Sequence, residues 1–381
     1  MSATPELSPR LPQLDALRGL AALYVIVYHV MAMPEPDLAV PGAIAPAVGM
    51  GGSGVALFFV MSAFSLCLTW PRHAATGLPL RSFYLSRLAR IAPLMLALLT
   101  LMVVKDQCRA LPLRGWEEVL WNYSLLFGLS APWQHGIVMG SWTIGVEMLF
   151  YVLFPLIAIA ARGLWRQLAL LAASFVLASW AMHGLPAPIA HLGAHAGLLR
   201  QLPVFVLGCV LFELWLRLRE APAQHRPALG AGLSLAGLGG LGALFYGLLP
   251  PIPVIGDGWY LASLFYGLLL LGLLLASNRW LVNRLTCFFG TISYSLYLVH
   301  PFLVSRLYGA FARFYAEWPP GVAYFACLAL SLALTVPASW LTYRWIEKPG
   351  IRLGHRLFAR LRERRRQARA LPAQAAAGPA G

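Results

Sequence analysis

"LDALRGLAALYVIVYHV", residues 14 to 30, is apolar enough to begin crossing a bilayer, yet it carries Asp15, Arg18 and His29. Ionisable groups are costly in hydrocarbon, and those that persist there face a polar cavity or one another. Eleven residues at about 100° each leave a net rotation of about 20°, so Arg18 and His29 share a helix face, about 16 Å apart along the axis. An arginine one turn inside a helix end can snorkel to the interface and be purely structural. A histidine about two-thirds of the way across, on the same face, is harder to assign to packing.

The rest of the chain fits that opening. Its 381 residues are 59% hydrophobic and 11% charged, with a mean hydropathy of +0.70, whereas soluble domains are about 25% charged. The expected fold class is all-α, a polytopic membrane helix bundle of about ten transmembrane helices with no appended soluble domain. At about 17 to 25 apolar residues per crossing, the spans fall near 14–33, 50–70, 89–107, 139–160, 167–184, 200–218, 229–249, 259–277, 285–305 and 322–344. "WEEVLWNYSLLFGL" (116–129) is amphipathic and too short to cross, so it is expected at the interface or re-entering. The organisation is a cytoplasmic N-terminal tail (1–13), a membrane domain (14–349) and a basic cytoplasmic tail (350–381) whose low-complexity end is expected to be disordered. No cleavable signal peptide is expected, since Arg18 interrupts the first apolar run.

The net charge of +15 is not a nucleic-acid footprint, because of where it lies. With both termini inside, 23 Lys and Arg fall on the cytoplasmic side and six outside (Lys105, Arg109, Arg114, Arg200, Arg306, Arg313). That is the positive-inside bias, with attraction to anionic lipid as a secondary effect. Nucleic acid is therefore not an expected partner; the lipid bilayer is. The five cysteines are scattered and read as small buried hydrophobes. His183, His191 and His195 share an outer loop, but the i, i+4 pair His191 and His195 has no third ligand apparent in sequence, so no metal is expected.

Other polar groups recur at His29's depth. "GSWTIGVEMLFY" (140–151) supplies Ser141, Trp142, Glu147 and Tyr151, with Glu147 and Tyr151 stacked at i, i+4. "SYSLYLVHPF" (293–302) supplies Tyr297 and His300 at i, i+3. Two histidines, a glutamate and several hydroxyls from three helices are thus expected at one level. At the cytoplasmic side, "RSFYLSRLARIAPL" (81–94) holds Arg81, Arg87 and Arg90. Arg87 and Arg90 can present two guanidinium forks to a polyanion such as a phosphate group, although ordinary positive-inside placement explains each one singly. Basic groups at the mouth and titratable groups beyond the middle suit a long ligand with a phosphate-rich head and a reactive tip, as in acyl-coenzyme A.

These stretches together resemble the acyltransferase type 3 family of polytopic membrane enzymes. The resemblance rests on "LDALRGLAALYVIVYH" with its Arg-x10-His pair, "FFVMSAFSL", "RLARIAPL", "SWTIGVEMLFY", "SYSLYLVHPFL" and the "IEKP" element at 346–349. It implies transfer of an acyl group, most simply acetyl, from cytoplasmic acyl-CoA to a hydroxyl of a cell-surface or exported polysaccharide or its lipid-linked precursor. It implies a bacterial inner membrane, and polysaccharide-assembly proteins as further partners. Carried over residue by residue, His29 is the catalytic histidine and Arg18 and Arg90 serve the acyl donor, with Arg87 and Ser62 beside them. Glu147, Tyr297 and His300 fall in the other polar motifs. No bound cofactor is implied; acyl-CoA is a co-substrate. One departure stands in the second span, where Ser62-Ala63-Phe64 replaces the family's Ser-Gly-Phe, and the extra methyl is expected to narrow the donor channel.

The expected mechanism is general-base catalysis by neutral His29, worth about 10²–10⁴-fold. Tyr297, Ser141 and Trp142 are candidate donors to the oxyanion, with Tyr151 nearby, and nothing in the sequence chooses among them. Ser141 as a covalent acyl carrier is a variant of this scheme. The rival reading is a proton-coupled transporter of an anionic or glycan-related substrate, which would use the same intramembrane residue types.

Overall fold

The computed structural model describes residues 11–108, 114–249 and 258–376, with side chains described through residue 363. Among the described residues every regular element is helical. The spans are α1 (Pro12–Ala32), α2 (Gly54–Ala74), α3 (Pro79–Cys108), α4 (Trp142–Ala160), α5 (Leu164–Gly184), α6 (Leu198–Leu218), α7 (Arg226–Phe245) and α8 (Trp259–Leu275). The pair α9 (Arg284–Thr291) and α10 (Ser293–Val304) follows, then α11 (Pro320–Thr342) and α12 (Lys348–Ala376). Eight helices, α11 and α12 counting as one, are long and apolar enough to cross a membrane. The α9–α10 pair is a bent ninth candidate, and α8, at 17 residues, falls just short. Each of the ten expected spans has its helix or helix pair, and the chain is a multi-pass membrane protein.

α1 is the axis of the bundle. Leu14, Leu17, Ala21 and Val25 belong to the main apolar core, while Ala22, Ile26 and Val30 belong to a second cluster on the other side, with α10 and α11. Its partner α9 comes close enough that a side chain on Gly19 would meet the Gly290 backbone nitrogen at 2.7 Å. A side chain on Gly290 would in turn strike the Asp15 carbonyl. Two glycines facing each other thus let two backbones touch, the usual means of tight helix contact in lipid. This contact lies beside Arg18 and fixes which way α1 is turned.

The span expected at 285–305 is not one helix. α9 starts on a capping box, with Asn283 accepting from the Thr286 backbone and Thr286 bonding back to the Asn283 nitrogen. It stops at Thr291, and α10 leaves at 71° to it. Near the break, Thr291 Oγ1 donates to the Cys287 carbonyl and Ser293 Oγ to the Gly290 carbonyl. Side-chain hydroxyls thereby occupy carbonyls that a continuous helix would have used itself. The bend turns Ser293, Tyr294 and Tyr297 into the bundle.

One further expectation needs correction. The third span begins at Pro79 rather than near 89, so Arg81, Arg87 and Arg90 all lie within helix. α12 runs to Ala376, and residues 377–381 of the end expected to be disordered lie outside the described residues. α12 follows α11 through a π-helical turn, Tyr343–Glu347, and seats against α3. Side chains on Gly350 and Gly354 would strike Pro93 and Ala89 of α3, so these two glycines, one turn apart, permit the contact. Residues 1–10 of the expected N-terminal tail, and Arg109 among the six outer basic residues, lie outside the described residues. The 116–129 stretch forms a short helix, Trp116–Ser124, and a 3-10 turn, with Trp116 and Leu120 exposed.

Candidate active site

A cavity of about 440 Å³ opens between α1, α2, α3, α4 and α10. Its cationic lining is Arg18, Arg72, Arg87 and Arg90, set against the carboxyl groups of Asp15 and Glu147. Four guanidinium groups outnumber two acids, and the cavity favours an anion. Arg18 Nη2 donates to Ser65 Oγ at 2.6 Å and its Nη1 stands 4.0 Å from Asp15. Arg87 Nη2 donates to Thr69 Oγ1 at 3.1 Å, and its Nε is buried with no hydrogen-bond partner among the described residues. A buried donor left without an acceptor is expensive, and the rest of the Arg87 guanidinium lines the cavity. Arg90 is within electrostatic reach of both Arg18 and the buried Glu347. Glu347 accepts from Ser295 Oγ at 3.0 Å. Arg81 is exposed and does not line the cavity.

Deeper in, Glu147 accepts from Ser62 Oγ at 2.5 Å and from the Tyr151 hydroxyl at 2.6 Å. The i, i+4 stacking of Glu147 and Tyr151 is thus a direct bond. Phe58 and Tyr297 form the end wall, their rings in edge contact at 5.9 Å. The Tyr297 hydroxyl donates to the Gly140 carbonyl at 3.1 Å. Gly140 has φ +78°, a left-handed turn that glycine adopts without strain.

Beyond that wall lie the histidines. His29 Nδ1 and His300 Nε2 are 2.9 Å apart, with ring centroids at 5.0 Å. His300 Nδ1 is 2.9 Å from the Leu296 carbonyl, which can only accept, so His300 carries its proton on Nδ1. In the neutral ring His300 Nε2 is then an acceptor, and His29 must donate to it from Nδ1. A neutral His29 so held keeps its lone pair on Nε2. The geometry therefore fixes a tautomer with Nε2 ready to take a proton.

The polar groups expected at one level are consequently divided. His29 and His300 pair with each other, and the Tyr297 ring touches His300 at 5.9 Å. Glu147, Ser62 and Tyr151 face the cavity on the other side of Tyr297. Ser141 is fully buried outside the cavity, its Oγ donating to the His135 carbonyl at 3.4 Å within the same loop, so nothing there activates it as a nucleophile. Trp142 is also off the cavity, against Phe59 and His195. His191 bonds the Leu129 carbonyl. No group of three His, Cys, Asp or Glu side chains arranged to hold a metal ion occurs among the described residues.

The family model described as an acyltransferase domain, type 3, matches residues 11–340. The chain belongs to this acyltransferase family. It is 23% identical over 375 residues to a protein named "Putative O-acetyltransferase" of Staphylococcus aureus (strain COL), an alignment covering 89% of this chain and 57% of that protein. It is 24% identical over 400 residues to O-acetyltransferase OatA of Staphylococcus aureus (strain MRSA252), covering 94% of this chain and 60% of that one. The chain thus spans about three fifths of the length of the relatives it matches. No solved structure matches it.

In this member of the family, the Ala63 methyl does not narrow the cavity. Ala63 is fully buried and faces α6, where a side chain on Gly208 would come within 2.8 Å of it. Sequence reading also missed part of the cavity wall. Beyond Ser62, which the sequence had singled out, Ser65, Thr69 and Arg72 line it, and the i, i+3, i+7, i+10 spacing of the four draws one polar stripe along an otherwise apolar helix. That stripe was readable. Tyr294 was not, because its place depends on the bend between α9 and α10.

Proposed function

We propose that this chain is an O-acetyltransferase that takes its acyl group from acyl-CoA on the cytoplasmic side and passes it to a glycan hydroxyl on the other. The observation that carries the reading is the histidine pair, held in a base-competent tautomer beyond the end of an arginine-lined cavity. The cavity arginines would hold the donor's phosphates, and its pantetheine arm would run past Ser62 and Glu147 towards Phe58 and Tyr297. His29 and the cavity are separated by that aromatic wall, so the arm meets the base only when one of the two rings turns aside.

In the step itself, the acceptor oxygen attacks the thioester carbonyl carbon while its proton passes to His29 Nε2. The C–O bond forms, the C–S bond breaks, and the proton on His29 Nε2 is returned to the departing thiolate. His300 stays neutral and orients His29 through Nδ1. A positive charge on His29 is shared along the bond to His300 Nε2, which remains an acceptor. The names of the relatives support acetyl as the acyl group, and the family resemblance supports an envelope or exported polysaccharide as acceptor in a bacterial inner membrane, with both termini cytoplasmic.

The test compares wild type with His29→Ala and Arg18→Ala, at matched membrane levels, for acyl content of surface and exported polysaccharide. Loss of acylation with His29→Ala in an inserted protein supports the base. Undiminished acylation removes His29 from that role. No acylation by wild type, together with no acetyl-CoA hydrolysis by the purified protein, would favour the transporter.

A further inference from the structure

Next to the main cavity is a smaller hollow, about 230 Å³, between the end of α2, the start of α3 and α12. Arg72 lines both spaces, so the hollow continues the arginine-lined path outward. His73, Ser82, Ser86, His355 and Phe358 complete most of its wall. Among its lining residues none is acidic, in contrast to the main cavity with Asp15 and Glu147. Its polar side chains are a guanidinium, two imidazoles and three hydroxyls counting Thr76; Thr76 and Ser86 spend their single protons on the His73 and Phe83 carbonyls, so the donors open to an anion are the guanidinium and the imidazoles. His73 Nδ1 is 2.8 Å from Ser82 Oγ, and Ser86 Oγ donates to the Phe83 carbonyl at 2.7 Å, so the wall is ordered by its own bonds.

The hollow exists because α12 is seated on α3 by Gly350 and Gly354. Gly354, His355 and Phe358 lie past residue 340, where the family match ends. We propose that this hollow is a second anion subsite that binds the phosphorylated nucleoside end of the acyl donor, its terminal phosphomonoester between Arg72 and His355. The inference rests on the acyl-CoA reading above. A phosphomonoester carries close to two negative charges near neutral pH and three strong acceptor oxygens, which suits a wall of donors without a carboxylate. Phe358 offers an apolar face to the base. The C-terminal helix then takes part in donor recognition, and the main cavity needs to hold only the diphosphate and the arm.

The experiment measures affinity of the purified full chain, in lipid nanodiscs, for CoA and for 3′-dephospho-CoA by calorimetry. Wild type, His355→Ala and His355→Glu are compared; His355 is exposed, so both variants are expected to fold. Wild type should prefer CoA by about tenfold, the scale of one charge-assisted contact. His355→Ala and His355→Glu should both bring that preference towards one, with affinity for CoA falling more than affinity for 3′-dephospho-CoA. Equal binding of the two ligands by wild type, or an unchanged preference in both variants, overturns the subsite and leaves the donor reading intact. No binding of either ligand to wild type overturns the donor reading and the subsite with it.

Discussion

At the scale of single residues, the instructive contact is a hydrogen bond between two side chains of the same kind. A lone histidine can hold its proton on either nitrogen; His29 has that freedom removed by His300, which is itself fixed by the Leu296 carbonyl. His300→Phe keeps a ring in the site and removes the acceptor. It should slow acyl transfer at least about tenfold, a share of the 10²–10⁴-fold that a positioned base contributes, with donor affinity unchanged. Turnover measured across a CoA-ester titration checks this, since a purely structural role would move affinity and expression as well. On the proposed acyl-CoA reading, the Phe58–Tyr297 wall would set how far an acyl chain reaches. Phe58→Ala should extend the accepted donors beyond acetyl, whereas Ala63→Gly, one residue from the cavity-lining Ser62, should leave chain-length preference as it is. Mass spectrometry of the acylated product, with acetyl-, butyryl- and hexanoyl-CoA offered together, reads both outcomes.

Among the elements, the contact between α1 and α9 is the least tolerant. Gly290→Val would drive a branched side chain into the Asp15 carbonyl and should cost about 1–3 kcal/mol or more as overpacking. Gly232→Ala in α7, where nothing lies within 4 Å, should be neutral or slightly stabilising. Thermal unfolding of the two variants in detergent separates them. Much of this level could be read from sequence. Runs such as 14–33 and 200–218 are long, apolar and bounded by proline or charge, and their helices follow. The Arg18 and His29 face was legible because a helix repeats regularly. The break at Thr291 was not, since "TCFFGTISYSLYLVHPF" has no proline between 284 and 300, and hydroxyl bonds to carbonyls such as those of Thr291 and Ser293 also occur in unbroken helices. The seating of α12 was equally hidden, because Gly350 and Gly354 among arginines resemble a solvated tail until α3 is placed beside them. For the same reason the sequence put Glu147 with the histidines: depth along a helix can be counted, but the Tyr297 ring that separates them depends on how α10 is turned.

For the whole molecule, charge is sorted along the path that a ligand would take. The main cavity holds four arginines against two acids, and the adjoining hollow adds Arg72 again with two histidines. Affinity for CoA should therefore fall as salt is raised from about 50 to 500 mM, because partly exposed charges are screened over a Debye length of about 14 Å at the lower and 4 Å at the higher concentration. Calorimetry in lipid nanodiscs at three salt concentrations measures it; a flat response would assign the affinity to apolar contact. At the opposite end of α1 the chain is pegged rather than charged. Tyr24, Tyr246, Tyr308 and Tyr315 donate their hydroxyls at 2.6 to 2.7 Å to the carbonyls of Ala47, Ala43, Met33 and Ala39. Four phenols, one on α1, one just past α7 and two on a short helix, Tyr308–Glu317, thus hold a stretch with little repeating structure of its own that starts four residues beyond His29. Such a segment should behave as masonry: it should resist limited proteolysis in the intact protein, and a Tyr308→Phe, Tyr315→Phe double variant should open residues 33–41 to cleavage first.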